Sequence, residues 1–209
     1  MTSVGLRETR KIQLTQAVQR EALRLFAAQG YERTTVEQIA EAAGVSTTTF
    51  YRYFSSKEDI VLFGQRTPVI EDVLDSRPVT EELPDAVRNA LIGAVLTVLE
   101  PERDDVLARL QLIYLVPALH AAFLQQRQAS VERFTRVLAR RAGYSGDEFL
   151  LRLAATLVIE AVNETIHYWV DNEGHPALAE LVGQAVDGIK PILAGLAAHG
   201  SKPAPSVIM

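Results

Sequence analysis

Apolar residues recur at intervals of three and four positions along nearly the whole chain, whereas alternating β-branched runs bounded by turns do not appear. The first such stretch places five apolar side chains on one helical face: Leu14, Val18, Ala22, Leu25 and Phe26. Gly30 is expected to end this helix as a left-handed cap. The pattern predicts an all-α fold of about nine helices.

Two short helices are predicted next. Thr34 and Glu37 have the spacing of a capping box, which would open the second helix, and Gly44 would end it. Ser46 is expected to cap a third helix that runs through Tyr53. Residues 35 to 53 therefore read as short helix, tight turn and short helix, the arrangement that presents a second helix to the major groove of DNA.

The remainder of the chain is also predicted to be helical. Ser55 and Glu58 have capping-box spacing and would open a fourth helix, which Thr67-Pro68 should kink or restart because proline lacks an N–H and clashes with the preceding turn. Residues 76 to 84 are predicted to form a loop. Five more helices are expected at about residues 84–99, 102–116, 117–142, 147–172 and 176–197, and residues 201–209 are expected to be a disordered tail.

Composition excludes several classes of protein. The chain has 209 residues and no cysteine, which rules out disulfides and cysteine zinc sites and fits a reducing cytoplasm. The most apolar run, residues 150 to 162, is shorter than the roughly 20 residues of a membrane span and contains Arg152 and Glu160. The first residues show no apolar signal-peptide core. We expect a cytoplasmic protein without a membrane partner.

Enzymatic activity is not expected. The sequence contains no nucleophile elbow, no phosphate-binding loop and no HExxH motif, and its four histidines lack the spacing of metal ligands. We therefore predict no catalytic residue, no metal and no cofactor. The pair His167 and Asp171 keeps one enzymatic alternative open.

The charge is unevenly distributed along the chain. The net charge is -5, but residues 1–60 hold eight basic and seven acidic residues, against thirteen and nineteen in the remainder. Only the first part is able to approach phosphate without strong repulsion. Charge permits DNA binding there and does not demonstrate it.

The third helix has a polar face. At 100° per residue, Thr47, Thr48, Tyr51 and Arg52 lie within about 140° of one another, whereas the two phenylalanines at positions 50 and 54 fall on a separate arc that is able to anchor a core. Threonine offers a hydroxyl and a methyl group to bases, and arginine reaches a guanine edge or a phosphate. The same side chains are also compatible with caps and solvated positions on a helical bundle whose helix-turn-helix binds protein.

Four stretches strongly resemble the DNA-binding domain of the TetR family: Ala22 to Tyr31, Thr34 to Val36, Ile39 to Ser46, and Thr49 to Glu58 without Ser55. The resemblance covers about residues 10 to 62. It implies a three-helix DNA-binding domain, a larger helical ligand-binding domain, a homodimer built on the last two helices, and release from a palindromic operator when a small-molecule effector binds. On this basis we assign residues 1–55 to the DNA-binding domain and residues 56–200 to the ligand-binding and dimerisation domain.

The resemblance and the helical geometry together give ten candidate DNA contacts: Thr34, Thr35, Ser46, Thr47, Thr48, Thr49, Tyr51, Arg52, Tyr53 and Lys57. Most of the matching family positions touch phosphate, and those of Thr48 and Arg52 often reach bases. Many relatives carry arginine or lysine at the position of Thr47, or glycine or proline at that of Thr48. Three threonines in a row therefore suggest more hydroxyl and methyl contacts than guanidinium contacts.

The last two helices are more apolar than one core requires. Residues 147–172 carry apolar side chains on most sides, and residues 176–197 show apolar residues suited to two faces. A helix of this kind needs a second partner besides its own core. We expect the two helices to form a four-helix dimer interface with a second copy.

A ligand site is expected where a few polar side chains lie among large apolar ones in the regulatory helices. The candidates are Gln111, Tyr114, His120, Phe123, Asn163 and His167. Each of them also fits an ordinary core or surface position. The arginines at 103, 109, 133, 136, 140 and 141 are compatible with an acidic ligand or with a solvated helix face. The family resemblance implies fatty acyl-CoA esters or lipophilic drugs as possible ligands, because a few members with this kind of regulatory domain bind them, and the apolar helices are compatible with either class.

Overall fold

The computed structural model describes residues 3–62, 69–142 and 148–200. Every long regular element in this part of the chain is an α-helix, which confirms the all-α prediction. The described residues form two compact units, one within residues 1–66 and 108–123 and the other within residues 67–107 and 124–209. The kink predicted at Thr67-Pro68 and the tail from residue 201 lie outside the described residues.

The first unit contains four consecutive helices: α1 (Ser3–Gln29), α2 (Val36–Ala42), α3 (Thr47–Tyr53) and α4 (Lys57–Leu62). Helix α1 contacts α2 and α4, and α2 packs against α3. The predicted apolar face of α1 is the buried one, with Val18, Ala22 and Phe26 at most 4% exposed. Gly30 ends α1 in the left-handed conformation, with a φ of 86°, as predicted.

The second unit begins with α5 (Val69–Ser76) and α6 (Leu83–Ala94). The single helix predicted over 84–99 is wrong at its end, because the α-helix gives way to a wider π-helical turn at Val95–Leu99 and a 3₁₀ turn at Glu100–Glu102. Helix α7 (Arg103–Leu115) follows. The π-helical turn at the predicted helix end has no marker in the apolar spacing.

Three long helices follow in the described residues: α8 (Pro117–Ala142), α9 (Glu148–Asp171) and α10 (Leu178–Gly200). Within the second unit α10 packs against both α9 and α6, and α5 packs against α6. Two ion pairs join α6 to α10: Arg88 to Asp187 at 2.9 Å and Lys190 to Asp85 at 2.6 Å. Such exposed pairs contribute little to stability individually, so the apolar faces hold these helices together.

Within the described ranges, no single helix has both the length and the apolar composition needed to cross a membrane. Only one bent pair of helices, Leu83–Leu115 followed by Pro117–Arg141, reaches the required length and apolarity when the two are taken together.

Candidate nucleic-acid interface

Helix α3 rests on two buried aromatic rings. Phe50 and Phe54 are 0% and 1% exposed, and their ring centroids lie 5.4 Å apart. Ser46 is the N-cap, as predicted: its Oγ accepts a hydrogen bond from the main-chain N–H of Thr49 at 3.1 Å. The cap fixes the start of the helix and the rings fix its rotation about its own axis, so the face opposite the rings points outward.

The outward face carries the side chains that the sequence placed there. Thr47, Thr48 and Arg52 are exposed, and Tyr51 is 55% exposed. Thr49 and Tyr53 are half-buried, and the guanidinium carbon of Arg52 lies 5.1 Å from the centroid of the Tyr53 ring. The predicted division between a polar outer face and an aromatic inner face is confirmed.

The turn between α2 and α3 is a Schellman motif. The main-chain N–H of Val45 donates to the carbonyl of Ala40 at 2.9 Å, and that of Gly44 donates to Glu41 at 3.0 Å. Gly44 has a φ of 68°, the left-handed conformation that this motif requires and that side chains with a Cβ rarely adopt. The turn therefore fixes the direction in which α3 leaves α2.

The capping box at the start of α2 lies one residue later than predicted. Thr35, not Thr34, is the N-cap: its Oγ1 accepts from the N–H of Gln38 at 3.3 Å, and Gln38 Oε1 accepts from the N–H of Thr35 at 3.0 Å. Both Thr34-x-x-Glu37 and Thr35-x-x-Gln38 have the spacing of a capping box, so the spacing alone does not decide which threonine is the N-cap. Thr35 is exposed, as a DNA contact requires.

The side chain of Thr34 is turned inward. It is 1% exposed, and its hydroxyl donates to the carbonyl of Gly30 at 2.8 Å and accepts from Gln29 Nε2 at 3.2 Å. Burial commits this hydroxyl to the loop between α1 and α2. Thr34 is thus the one candidate DNA contact whose side chain lies in the core.

Lys57, at the start of α4, is half-buried beneath the same loop. Its ammonium donates to the carbonyls of Tyr31 at 2.8 Å and Thr34 at 3.1 Å, and it lies 4.0 Å from the centroid of the Tyr31 ring. The cap of α4 is also one residue later than predicted, because Ser56 Oγ accepts from the N–H of Asp59 at 3.1 Å. Ser55 instead donates its N–H and its hydroxyl to the Asp59 carboxylate.

Tyr31, which is not among the ten candidate DNA contacts, packs against Lys57 and Glu58. The Tyr31 hydroxyl donates to Glu58 Oε1 at 2.8 Å, and the ring is 5% exposed. Burial and the neighbouring Glu58 and Glu32 carboxylates raise the pKa of Tyr31 well above its ordinary value. Burial also acts to raise the pKa of Glu58, but hydrogen bonds from its own N–H, Tyr31 and Ser56, with the charge of Lys57, lower it overall.

The candidate ligand residues fall in both units. In the first unit the Tyr114 ring lies 5.6 Å from His120 and 6.2 Å from Phe123, centroid to centroid, so three candidates form one aromatic cluster; Gln111 is exposed. In the second unit Asn163 Nδ2 is buried and has no hydrogen-bond partner among the described residues.

His167 lies on the surface of α9. Its Nε2 is 3.7 Å from Asp171 Oδ2, and the two side chains are 47% and 64% exposed. This geometry is that of an exposed side-chain contact between residues one turn apart on a helix. In the described part of the chain, no group of three or more His, Asp or Glu side chains is arranged to hold a metal ion.

Two arginines of the basic run on α8 hold the end of α5. Arg140 Nη2 is 2.6 Å from Asp75 Oδ2, and Arg141 donates to the carbonyls of Leu74, Arg77 and Pro78 at 3.2, 3.0 and 2.5 Å. The Arg141 guanidinium thus satisfies carbonyls left over at and just after the helix end, and Arg140 pairs with a carboxylate on the same helix. The structure thus gives this part of the run an internal role.

A short capped helix that follows a tight turn and directs hydroxyl and guanidinium groups outward defines a helix-turn-helix DNA-binding protein. Residues 20–62 match the sequence profile of bacterial regulatory proteins of the tetR family, and residues 81–194 match that of the MftR C-terminal domain. The chain belongs to the TetR family of bacterial transcriptional regulators. It is a regulator and not an enzyme, and proteins of this family bind DNA operators and small-molecule ligands and act as dimers.

Relatives match along most of the chain. TcmR, an HTH-type transcriptional regulator from Streptomyces glaucescens, is 32% identical over 203 residues, which cover 90% of this chain and 88% of TcmR. MftR from Mycobacterium tuberculosis is 30% identical over 168 residues, which cover 79% of this chain and 84% of MftR.

A solved structure shares the fold. FadR from Thermus thermophilus, a TetR-family transcriptional repressor in complex with lauroyl-CoA, has a TM-score of 0.54 and 19% identity, covering 93% of this chain and 98% of FadR. At this identity the likeness concerns the fold alone.

Proposed function

We propose that this protein is a repressor that binds a palindromic operator as a homodimer, through the outward face of α3, and that a small, largely apolar ligand releases it. The DNA-binding domain would span residues 1–55 and the ligand-binding and dimerisation domain residues 56–200. The proposal depends mainly on the orientation of α3, which buries the rings of Phe50 and Phe54 on one side and exposes a polar face on the other.

The chemistry of that face suits the major groove. Thr47 and Thr48 each carry a hydroxyl for a base or phosphate and a methyl group that fits against thymine, and Arg52 is able to pair with a guanine edge. Tyr51 and Tyr53 add phenol donors for phosphate, and Thr35, Ser46 and Thr49 add hydroxyls at the rim. Because hydroxyls outnumber guanidinium groups, we expect specificity to depend on several modest contacts rather than on one dominant pair.

The dimer contact is assigned to α9 and α10. Leu153 and Ile192 are 39% and 47% exposed, while Val158 of α9 and Leu193 of α10 are 0% and 2% exposed. Each of these helices therefore has a buried side within its own subunit and large apolar side chains on another side. A second copy related by a two-fold axis would cover those side chains, and the same two-fold axis in the operator gives the palindrome.

The ligand is assigned to the regulatory helices. Each unit offers its own candidate surface. In the second unit, the unsatisfied donor of Asn163 would gain a hydrogen bond from an acceptor on a ligand, and the exposed His167 lies one turn further along the same helix. In the first unit, the aromatic cluster of Tyr114, His120 and Phe123 would offer apolar surface, and the exposed Gln111 lies on the helix that carries Tyr114. The lauroyl-CoA of the FadR complex is one example of a ligand that joins an apolar chain to a head group rich in acceptors.

The test is a selection of bound fragments from a sheared bacterial genome, followed by affinity measurements at several salt concentrations. We expect a fragment with inverted half-sites about 10 bp apart, or a multiple of that spacing, and an affinity that falls steeply with salt because phosphate binding releases counterions. If the helix-turn-helix instead binds protein, no fragment will be enriched over random duplex. In that case the salt dependence on random duplex will be flat.

A further inference from the structure

Lys57 is committed to main-chain carbonyls within its own subunit. Two of the three N–H donors of a lysine ammonium go to Tyr31 O at 2.8 Å and Thr34 O at 3.1 Å. The ammonium also lies over the Tyr31 ring, 4.0 Å from its centroid, where the ring face attracts a cation. Both carbonyls and the ring belong to the segment between α1 and α2.

The two carbonyls frame the loop that leads into α2. The main-chain N–H of Thr34 donates to Tyr31 O at 3.2 Å, so Lys57 strengthens a turn that ends at the residue before the N-cap Thr35. From Thr35 the capping box with Gln38 starts α2, and the Schellman turn then sets the direction of α3. Lys57 thus lies at the base of the chain of contacts that orients the outward face.

The neighbouring residue ties the same loop from a second side. Glu58 accepts the hydroxyl of Tyr31 at 2.8 Å, so consecutive residues of α4 hold the carbonyl, the ring and the hydroxyl of one tyrosine. The start of α4 is therefore tied to the loop after α1 through three groups of Tyr31, and these contacts help to set the position of α2.

We infer that Lys57 is a positioning residue for DNA binding, which holds the loop at residues 31–34 and the start of α2 in place. The inference rests on the proposed function, and it gives this lysine a role within its own subunit besides the phosphate contact that the family resemblance implies.

The first arm of the test uses the full-length protein without DNA. Hydrogen exchange is compared for wild type, Lys57→Met, Lys57→Arg and the exposed-charge control Arg52→Met. We expect the amides of residues 34–39 to exchange about tenfold faster in Lys57→Met, because a hydrogen bond from a charged donor is lost. Lys57→Arg should keep most of the protection, since a guanidinium also donates to carbonyls and stacks on a ring, and Arg52→Met should behave as wild type.

The second arm measures the affinity for the selected operator fragment, at a temperature where every variant is folded, as salt is varied. We expect Lys57→Met to bind about tenfold more weakly at every salt concentration, and Lys57→Arg to recover the affinity. If Lys57 contacts phosphate alone and holds nothing in place, Lys57→Met will lower the magnitude of the slope of log K against log salt by about 0.9 and leave exchange in the free protein unchanged, which would overturn the inference.

Two further outcomes also contradict it. If Lys57→Met exchanges faster but binds the operator as tightly as wild type, the role of Lys57 is purely structural. If Lys57→Arg does not recover the lost affinity, the positive charge of residue 57 is not what holds the loop. Absence of binding by the wild type to any fragment would defeat the proposed function instead, and only the exchange arm would then remain informative about Lys57.

Discussion

The rings of Phe50 and Phe54 lie 5.4 Å apart, centroid to centroid, and both are shielded from solvent beneath α3. They are spaced one helical turn apart, so burying both fixes which side of the helix faces outward. The exposed residues Thr47, Thr48 and Arg52 owe their orientation to this pair. The aromatic core thereby decides which side chains are available to a partner.

Arg52→Ala and Tyr53→Phe are expected to weaken operator binding without unfolding the protein. Loss of a guanine contact by Arg52 would cost about 1–3 kcal/mol, and loss of the Tyr53 hydroxyl removes only one donor and should cost less. Thermal unfolding midpoints should stay at the wild-type value, because Arg52 is exposed. Fluorescence anisotropy with labelled operator measures the affinity.

Arg136→Ala is the matched control, because it removes an equal charge from an exposed position on α8. Its affinity for the operator should remain close to that of wild type. If Arg52→Ala and Tyr53→Phe both bind as tightly as wild type, the outward face of α3 is not the DNA contact.

The helix pattern and the outward face of α3 were predictable from the sequence because both follow from apolar periodicity. The caps of α2 and α4 were each misplaced by one residue, since Thr34 and Thr35, and likewise Ser55 and Ser56, are adjacent hydroxyl residues. Burial of Thr34 against Gly30 decides between the first two, and this is a tertiary contact. The commitment of Lys57 to carbonyls 23 and 26 residues away leaves no local signal in the sequence.

Asn163→Leu is expected to alter the ligand response while sparing operator affinity. The substitution replaces a buried donor that has no hydrogen-bond partner among the described residues with an apolar group of similar size. Stability should therefore be unchanged or slightly higher. Operator release is measured with whichever compound of a panel of acyl-CoA esters and lipophilic drugs releases the wild type.

Asn172→Ala serves as the comparison for that experiment, because Asn172 is exposed in the turn after α9. Its ligand response should match that of wild type. An unchanged dose response in Asn163→Leu would remove Asn163 from the ligand site.

Leu153→Arg is expected to weaken the dimer. Leu153 is 39% exposed on α9, and a guanidinium there would be desolvated beside its symmetry mate in the proposed interface. Sedimentation velocity should show monomer at concentrations where wild type is dimeric. Val79→Arg is the control, because Val79 is 86% exposed in the loop before α6, and this variant should remain dimeric. If wild type, Leu153→Arg and Val79→Arg all sediment alike, the dimer interface lies elsewhere.

Glu81, in the loop between α5 and α6, is expected to make the stability of the protein depend on pH in the acid range. Hydrogen bonds from Arg77 and Asn89 lower the pKa of Glu81 from 4.5 to about 2. A lowered pKa in the folded state stabilises the protein above the unfolded value, and this stabilisation is lost as pH falls from about 4.5 towards 2.

The comparison of wild type with Glu81→Gln isolates this effect. Wild type should be the more stable protein by a constant margin between pH 7 and pH 5, and the margin should shrink below that range. Urea unfolding at each pH measures it. A margin that stays constant down to the lowest pH at which both proteins fold would show that the charge of Glu81 is not responsible.

The most direct test of the outward face uses the absence of cysteine from the chain. Thr48→Cys creates a single thiol on the exposed side of α3, and an iron chelate that cleaves nearby DNA is attached to it. Wild type, which has no thiol, is treated with the same chelate as the control. We predict cleavage of the operator at two symmetric positions by the Thr48→Cys conjugate and none by the treated wild type. Bound operator that the Thr48→Cys conjugate leaves intact would contradict this prediction.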